Sequence, residues 1–82
     1  MRPIKIDRQL FHEYLWLLAD RHHILKINVS DIAEDLGVHR MTISRVIAEF
    51  TRDNRIRFIK ETGWRIGQYE ILNPESFKLP QD

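Results

Sequence analysis

The sequence predicts a small α+β domain: three helices, a short strand between the first two, and a C-terminal β-hairpin. Three observations carry that reading. Apolar residues recur at helical spacing in three stretches between positions 8 and 52, and a lone glycine, Gly37, parts the second stretch from the third. After Asp53-Asn54 the apolar period shortens to two residues, as in half-buried strands. At 82 residues the chain suits a single domain, because chains divide only well above about 200 residues.

The elements follow in order. MRPIKI reads as an extended lead-in, and Asp7 is placed to cap a first helix over about 8–22. Leu10, Tyr14, Leu17 and Leu18 share one stripe of that helix, with Phe11 beside it, and His22-His23 suits its C-terminus. Ile24-Leu25-Lys26-Ile27 has strand character. Ser30 then caps a second helix over about 30–36, in which Asp31 and Glu34 favour the positive end of the dipole. Ile32, Ala33 and Leu36 face inward, and Gly37 ends the helix by taking the left-handed conformation cheaply. A third helix over about 39–52 carries its core stripe on Ile43, Val46, Ile47 and Phe50, and Asp53-Asn54 breaks it. A hairpin over about 55–72 alternates Ile56 and Phe58 with Arg57, and Tyr69 and Ile71 with Glu70, around the loop KETGWRIG. The tail, 73–82, reads as irregular.

Composition narrows the function classes. Hydrophobic residues make up 43% of the chain and charged residues 30%, a globular balance. There is no cysteine, which excludes disulfides and thiolate metal sites and suits a reducing cytoplasm. No apolar run approaches the ~20 residues of a membrane span, and the N-terminus lacks the apolar core of a signal peptide. The net charge of +1 hides a segregation: residues 39–65 hold Arg40, Arg45, Arg52, Arg55, Arg57, Lys60 and Arg65 against Glu49, Asp53 and Glu61, a net +4. The segments on either side are net acidic. Such clustering fits a local anion-binding surface.

The spacing within 30–46 is more specific. Ala33 is followed by Gly37 four residues on and by Ile43 six further, with Ile32, Leu36, Val38 and Val46 at the remaining apolar positions. A small residue at 33 lets two helices cross closely, Gly37 permits the tight turn, and Ile43 and Val46 pin the next helix across the first. This order and these residues resemble the winged helix-turn-helix family. GVHRMTISRVIAEFTRDNRI is similar to the helix-turn-helix of the catabolite-activator (Crp/Fnr) group. The likeness is close over Ser30 to Ile59 and looser over the hairpin, which corresponds to the wing.

The resemblance implies a recognition helix in the major groove of double-stranded DNA. Opposite the core stripe lie Met41, Ser44, Arg45, Ala48 and Arg52, while His39, Arg40 and Thr42 crowd the N-terminal end. Carried over by position, Arg40, Met41 and Arg45 read bases, and Thr42 and Ser44 contact phosphate or base. Two positions depart from family habit. Met41 stands where an acid is frequent, which argues against cytosine readout, and His39 stands where Ser or Thr usually caps. Lys60, Thr62, Trp64 and Arg65 would carry the wing's contacts to the minor groove or backbone, with Trp64 either on sugar or folded back over the hairpin, the latter favoured. Arg52, Arg55 and Arg57 serve equally as surface arginines or phosphate contacts.

Other combinations are discounted. His12 with His22-His23 does not make a metal site, since adjacent histidines diverge, and a surface or capping role is expected instead. No nucleophile motif or Gly-rich phosphate loop appears, so the chain reads as no enzyme, with no cofactor, membrane partner or small-molecule ligand. Trp16 points away from the Leu10 stripe; Ile4, Ile6, Phe77 or Leu79 covers it, or with Leu15 it forms a homodimer seam. The function implied is sequence-specific DNA binding by a small transcriptional regulator in the cytoplasm, associated with the nucleoid. A DNA-binding accessory role in phage or plasmid replication, partition or excision keeps the same surface. A protein–protein interaction winged helix is the alternative from another class.

Overall fold

The computed structural model describes residues 6–64 and 66–77. Helix α1 spans Arg8–Leu18, strand β1 Ile24–Asn28, helix α2 Val29–Leu36 and helix α3 Arg40–Arg52. Strands β2, Ile56–Gly63, and β3, Ile66–Ile71, form the hairpin, and Pro74–Phe77 makes a short 3-10 turn. The lead-in before Ile6, the side chain of Arg65 and the tail beyond Phe77 lie outside the described residues, as do the expected covers Ile4 and Leu79.

β3 is the middle strand of a three-stranded antiparallel sheet in the order β1-β3-β2. The short first strand is thus part of the wing's own sheet, with Leu25 opposite Tyr69 and Ile27 opposite Gly67. One face of the sheet closes over the helices. The core joins Phe11 and Leu15 of α1, Ile32 and Ala33 of α2, Ile43, Val46, Ile47 and Phe50 of α3, and Leu25, Ile27, Ile56 and Ile71 of the sheet.

Local chemistry explains where the helices begin and end. The Asp7 carboxylate accepts the Leu10 N–H at 3.0 Å and caps α1. α1 stops four residues short of the expected His22. Asp20 Oδ1 accepts the N–H groups of His22 (2.8 Å) and Ile24 (3.1 Å), giving the backbone a turn in place of another helical turn. His23, with φ 65°, completes that reversal instead of serving a helix C-terminus. α2 is capped by Asn28, whose Oδ1 accepts from Ser30 and Asp31 N–H, and not by Ser30, which lies inside the helix. At its other end Gly37 has φ 67°, and the pair Gly37 N–H to Glu34 O and Val38 N–H to Ala33 O closes a Schellman motif. Asn54, with φ 62°, reverses the chain after α3.

The buried face of α1 differs from the expected stripe. Leu10 is 64% exposed, Leu17 83% and Leu18 54%, while Phe11, His12 and Leu15 are buried. Both faces satisfy helical spacing. The one chosen includes a histidine because the interior satisfies it: Leu72 O accepts from His12 Nε2 at 2.8 Å, and Arg55 donates to Nδ1 at 3.2 Å. His12 is therefore a core residue, neither superficial nor capping.

Candidate nucleic-acid interface

α3 lies with Ile43, Val46, Ile47 and Phe50 in the core, which turns Arg40, Met41, Ser44, Arg45, Ala48 and Arg52 outward. His39 is exposed and Thr42 half-buried at the N-terminal end. His39 is a working cap: its Nδ1 accepts the Met41 N–H at 3.1 Å. An accepting Nδ1 leaves the proton on Nε2, at the end of a helix where anions are favoured.

The arginines separate into two groups by what they already hold. Arg8 grips Glu49 through two N–H groups at 2.7 and 3.2 Å, and Arg57 grips Glu70 at 2.6 Å across the hairpin. Arg8 accordingly draws the Glu49 carboxyl below the usual carboxylate range, mainly through that hydrogen bond. Arg55 is half-buried between the rings of Phe50 and Phe77, at 5.2 and 4.9 Å, and bonds Gln9 and His12. It is part of the packing and not an ordinary surface arginine. Among the described residues Arg52 reaches only Asp53, at 3.9 Å. Arg40 and Arg45 make no hydrogen bond or ion pair among the described residues, so both guanidinium groups on the outer face remain available.

A groove of about 410 Å³ runs between α3 and the sheet, lined by Ser30, Arg40, Met41 and Ser44 on one side and Phe58, Glu61, Ile66, Gly67 and Tyr69 on the other. Phe58 is 48% exposed in this groove, edge-on to Tyr69 with ring centroids 5.4 Å apart, and so is not the core residue its alternation suggested. Gly67 makes the arrangement possible: a Cβ there would sit 2.7 Å from the Tyr69 ring. Register decides which wing residues see the groove. Cross-strand partners share a face, which places Lys26, Gln68 and Lys60 on the side away from α3. A shift between Phe58 and Lys60 then puts Glu61, opposite Gly67, on the groove side. Alternation alone would have given the groove Lys60 and hidden Glu61; an irregularity of this kind leaves no composition signal.

Thr62 and Trp64 are exposed near the hairpin tip, Trp64 at 83%, so the expected folding of the indole over the hairpin does not occur. Leu15 and Trp16, the alternative dimer seam, offer little open surface within the chain. Leu15 has no exposed surface, and Trp16 is half-buried against the core with His23 4.6 Å away. No group of three or more metal-ligating side chains occurs among the described residues, and no described helix is long and apolar enough to cross a membrane.

Three helices with a tight glycine turn, a three-stranded sheet and a basic helix beside the groove define a winged helix-turn-helix, a DNA-binding class. Residues 11–78 match the family model of the Crp-like helix-turn-helix domain, and the chain belongs to that family. It is accordingly a DNA-binding domain of the kind used in transcription regulation. No curated protein and no solved structure matches it.

Proposed function

We propose that this chain is a sequence-specific double-stranded DNA-binding protein, a transcription regulator that lays α3 in the major groove. The observation that carries the reading is the contrast among the arginines. Arg8, Arg55 and Arg57 are held by other residues, whereas Arg40 and Arg45 stand uncommitted on the outward face of α3. Arg40 and Arg45 offer bidentate donors to guanine, and Met41 and Ala48 offer apolar contact to thymine methyls. Ser44, Thr42, Arg52 and the His39 Nε2–H serve phosphates. On the wing, Thr62 meets the backbone near the tip, and Arg65 is a further candidate by its place in the sequence; Lys60, on the far face, acts at longer range. Two copies would bind a palindrome with half-sites about 34 Å apart.

Selection from random duplexes, followed by a salt titration on the selected site, tests this. Affinity should fall with salt at a log–log slope of about −0.9 per phosphate neutralised. Arg45→Ala should cost about 1–3 kcal/mol and relax preference at one base pair. A uniform loss over all sequences would reassign Arg45 to the backbone. No binding to any duplex pool at low salt would sink the reading.

A further inference from the structure

Trp64 directly follows Gly63, the last residue of β2, and leaves 83% of its surface in water. Aromatic side chains bury roughly 150–250 Å² when packed, so an indole left this exposed forgoes one of the largest burial gains open to a small domain. Its place is informative. Ile66 and Gly67, directly after the turn, line the groove opposite Arg40, Met41 and Ser44. Trp64 therefore stands within two or three residues of the surface assigned to the duplex, with its indole exposed. The strand end beside it is slender: a Cβ on Gly63 would meet nothing nearer than the Ile66 side chain at 3.5 Å. A slender end suits a minor groove only about 6 Å wide.

An uncharged indole is poor chemistry for gripping phosphate, a task that Lys, Arg or Thr performs better. Its flat face matches a base, and apolar wedges inserted from the minor groove unstack a base step and kink the duplex. Resting on the DNA-binding reading, we propose that Trp64 is such a wedge. It inserts at a base step in the minor groove beside the α3 contact and bends the duplex around the wing. Pyrimidine–purine steps, which unstack most easily, are its preferred seats, so the wing selects sequence by deformability where α3 selects by hydrogen bonds.

The chain has one other tryptophan, Trp16, so a Trp16→Phe chain reports Trp64 alone. The probe is an end-labelled duplex of roughly three helical turns (~30 bp), made with and without a TA step beside the selected half-site. On binding, Trp64 emission should be quenched several-fold, and end-to-end energy transfer should rise, more so with the TA step. Trp64→Ala should weaken binding about 5- to 150-fold, the range of one lost stacking contact, and straighten the duplex. The salt slope should stay unchanged because no charge is removed. Trp64→Phe should restore part of both the affinity and the bend. Unchanged Trp64 emission on a bound duplex, or a bend that survives Trp64→Ala, overturns the wedge and leaves α3 binding standing. Failure of the parent chain to bind any duplex at low salt overturns the DNA reading, and the wedge with it.

Discussion

His12 shows how one side chain ties three parts of the fold together. Its Nε2–H donates to the Leu72 carbonyl after β3, and its Nδ1 accepts from Arg55 at the start of β2. Gln9, one residue from the core face, adds a bond from its Nε2 to the Pro74 carbonyl at 2.9 Å. Because Arg55 can only donate, a proton on Nδ1 would set one donor against another. Burial lowers the His12 pKa below its ordinary 6.5, Arg55 lowers it further, and the Leu72 carbonyl pulls in the opposite direction. The unfolded chain thus takes up this proton before the folded chain does. The contribution to stability is full above pH 6.5 and is lost as pH falls from there through the lower folded value. Denaturant midpoints should drop between pH 7 and pH 5. His12→Gln should be less stable at pH 7 but flatter across that window, and an equal drop in both chains would contradict the assignment. Gly37 is constrained differently. Nothing lies within 4 Å of a Cβ there, so only its φ of 67° resists substitution. Gly37→Ala should cost about 1–2 kcal/mol by urea unfolding, and Gly37→Asn less.

At the scale of the element, α1 carries two apolar faces, and sequence alone cannot rank them. Leu10, Tyr14, Leu17 and Leu18 make a fuller stripe than Phe11 and Leu15, and a histidine between the latter two argues against burial. The structure buries the thinner stripe because Arg55 and the Leu72 carbonyl, remote in sequence, satisfy that histidine. Leu15→Ala should therefore cost about 2–5 kcal/mol, as in other filled cores. Leu17→Ser, at an 83% exposed position, should stay within about 0.5 kcal/mol. Comparable losses at the two positions would invert the assignment of faces. Elements whose signals are local were legible: the Asp7 cap, the Gly37 and Asn54 reversals, the α3 stripe and the hairpin. The Asn28 cap was displaced by two residues because Asn and Ser are both good caps, and strand pairing decides between them. The irregularity at Ile59, and with it the exchange of Lys60 for Glu61 in the groove, depends on pairing that has no sequence signature.

At the scale of the whole molecule, charge and shape are divided together. The bases cluster in 39–65 although the chain as a whole is only +1, and folding sharpens the division by pairing Arg8 and Arg57 with acids and packing Arg55 inside. The effective basic surface is thus smaller than composition suggests and centred on the first turns of α3. Arg40→Ala with Arg45→Ala should lower the salt slope of duplex binding by about 0.9 for each that neutralises a phosphate, and by nothing for one that reads only a base. Arg57→Ala should change the slope little, since Glu70 already neutralises it. A larger effect at Arg57 than at Arg40 would move the binding face from the helix to the wing. The family and its helix-turn-helix were legible because the turn and the core spacing lie within some twenty residues. The composition of the groove was not, because it joins segments far apart in the chain.

Asn28 is the last residue of β1, opposite Ile66 near the hairpin tip, and it is also the cap of α2. No residue intervenes between β1 and α2, and α2 packs directly on α3, so the sheet and α3 are set like the jaws of a calliper. A duplex that is too wide, too narrow or too straight for the gap between them meets no linker between β1 and α2 that could adjust it. In the proposed binding mode the DNA would do the yielding, and sequences that yield readily should be favoured even at positions that no side chain touches.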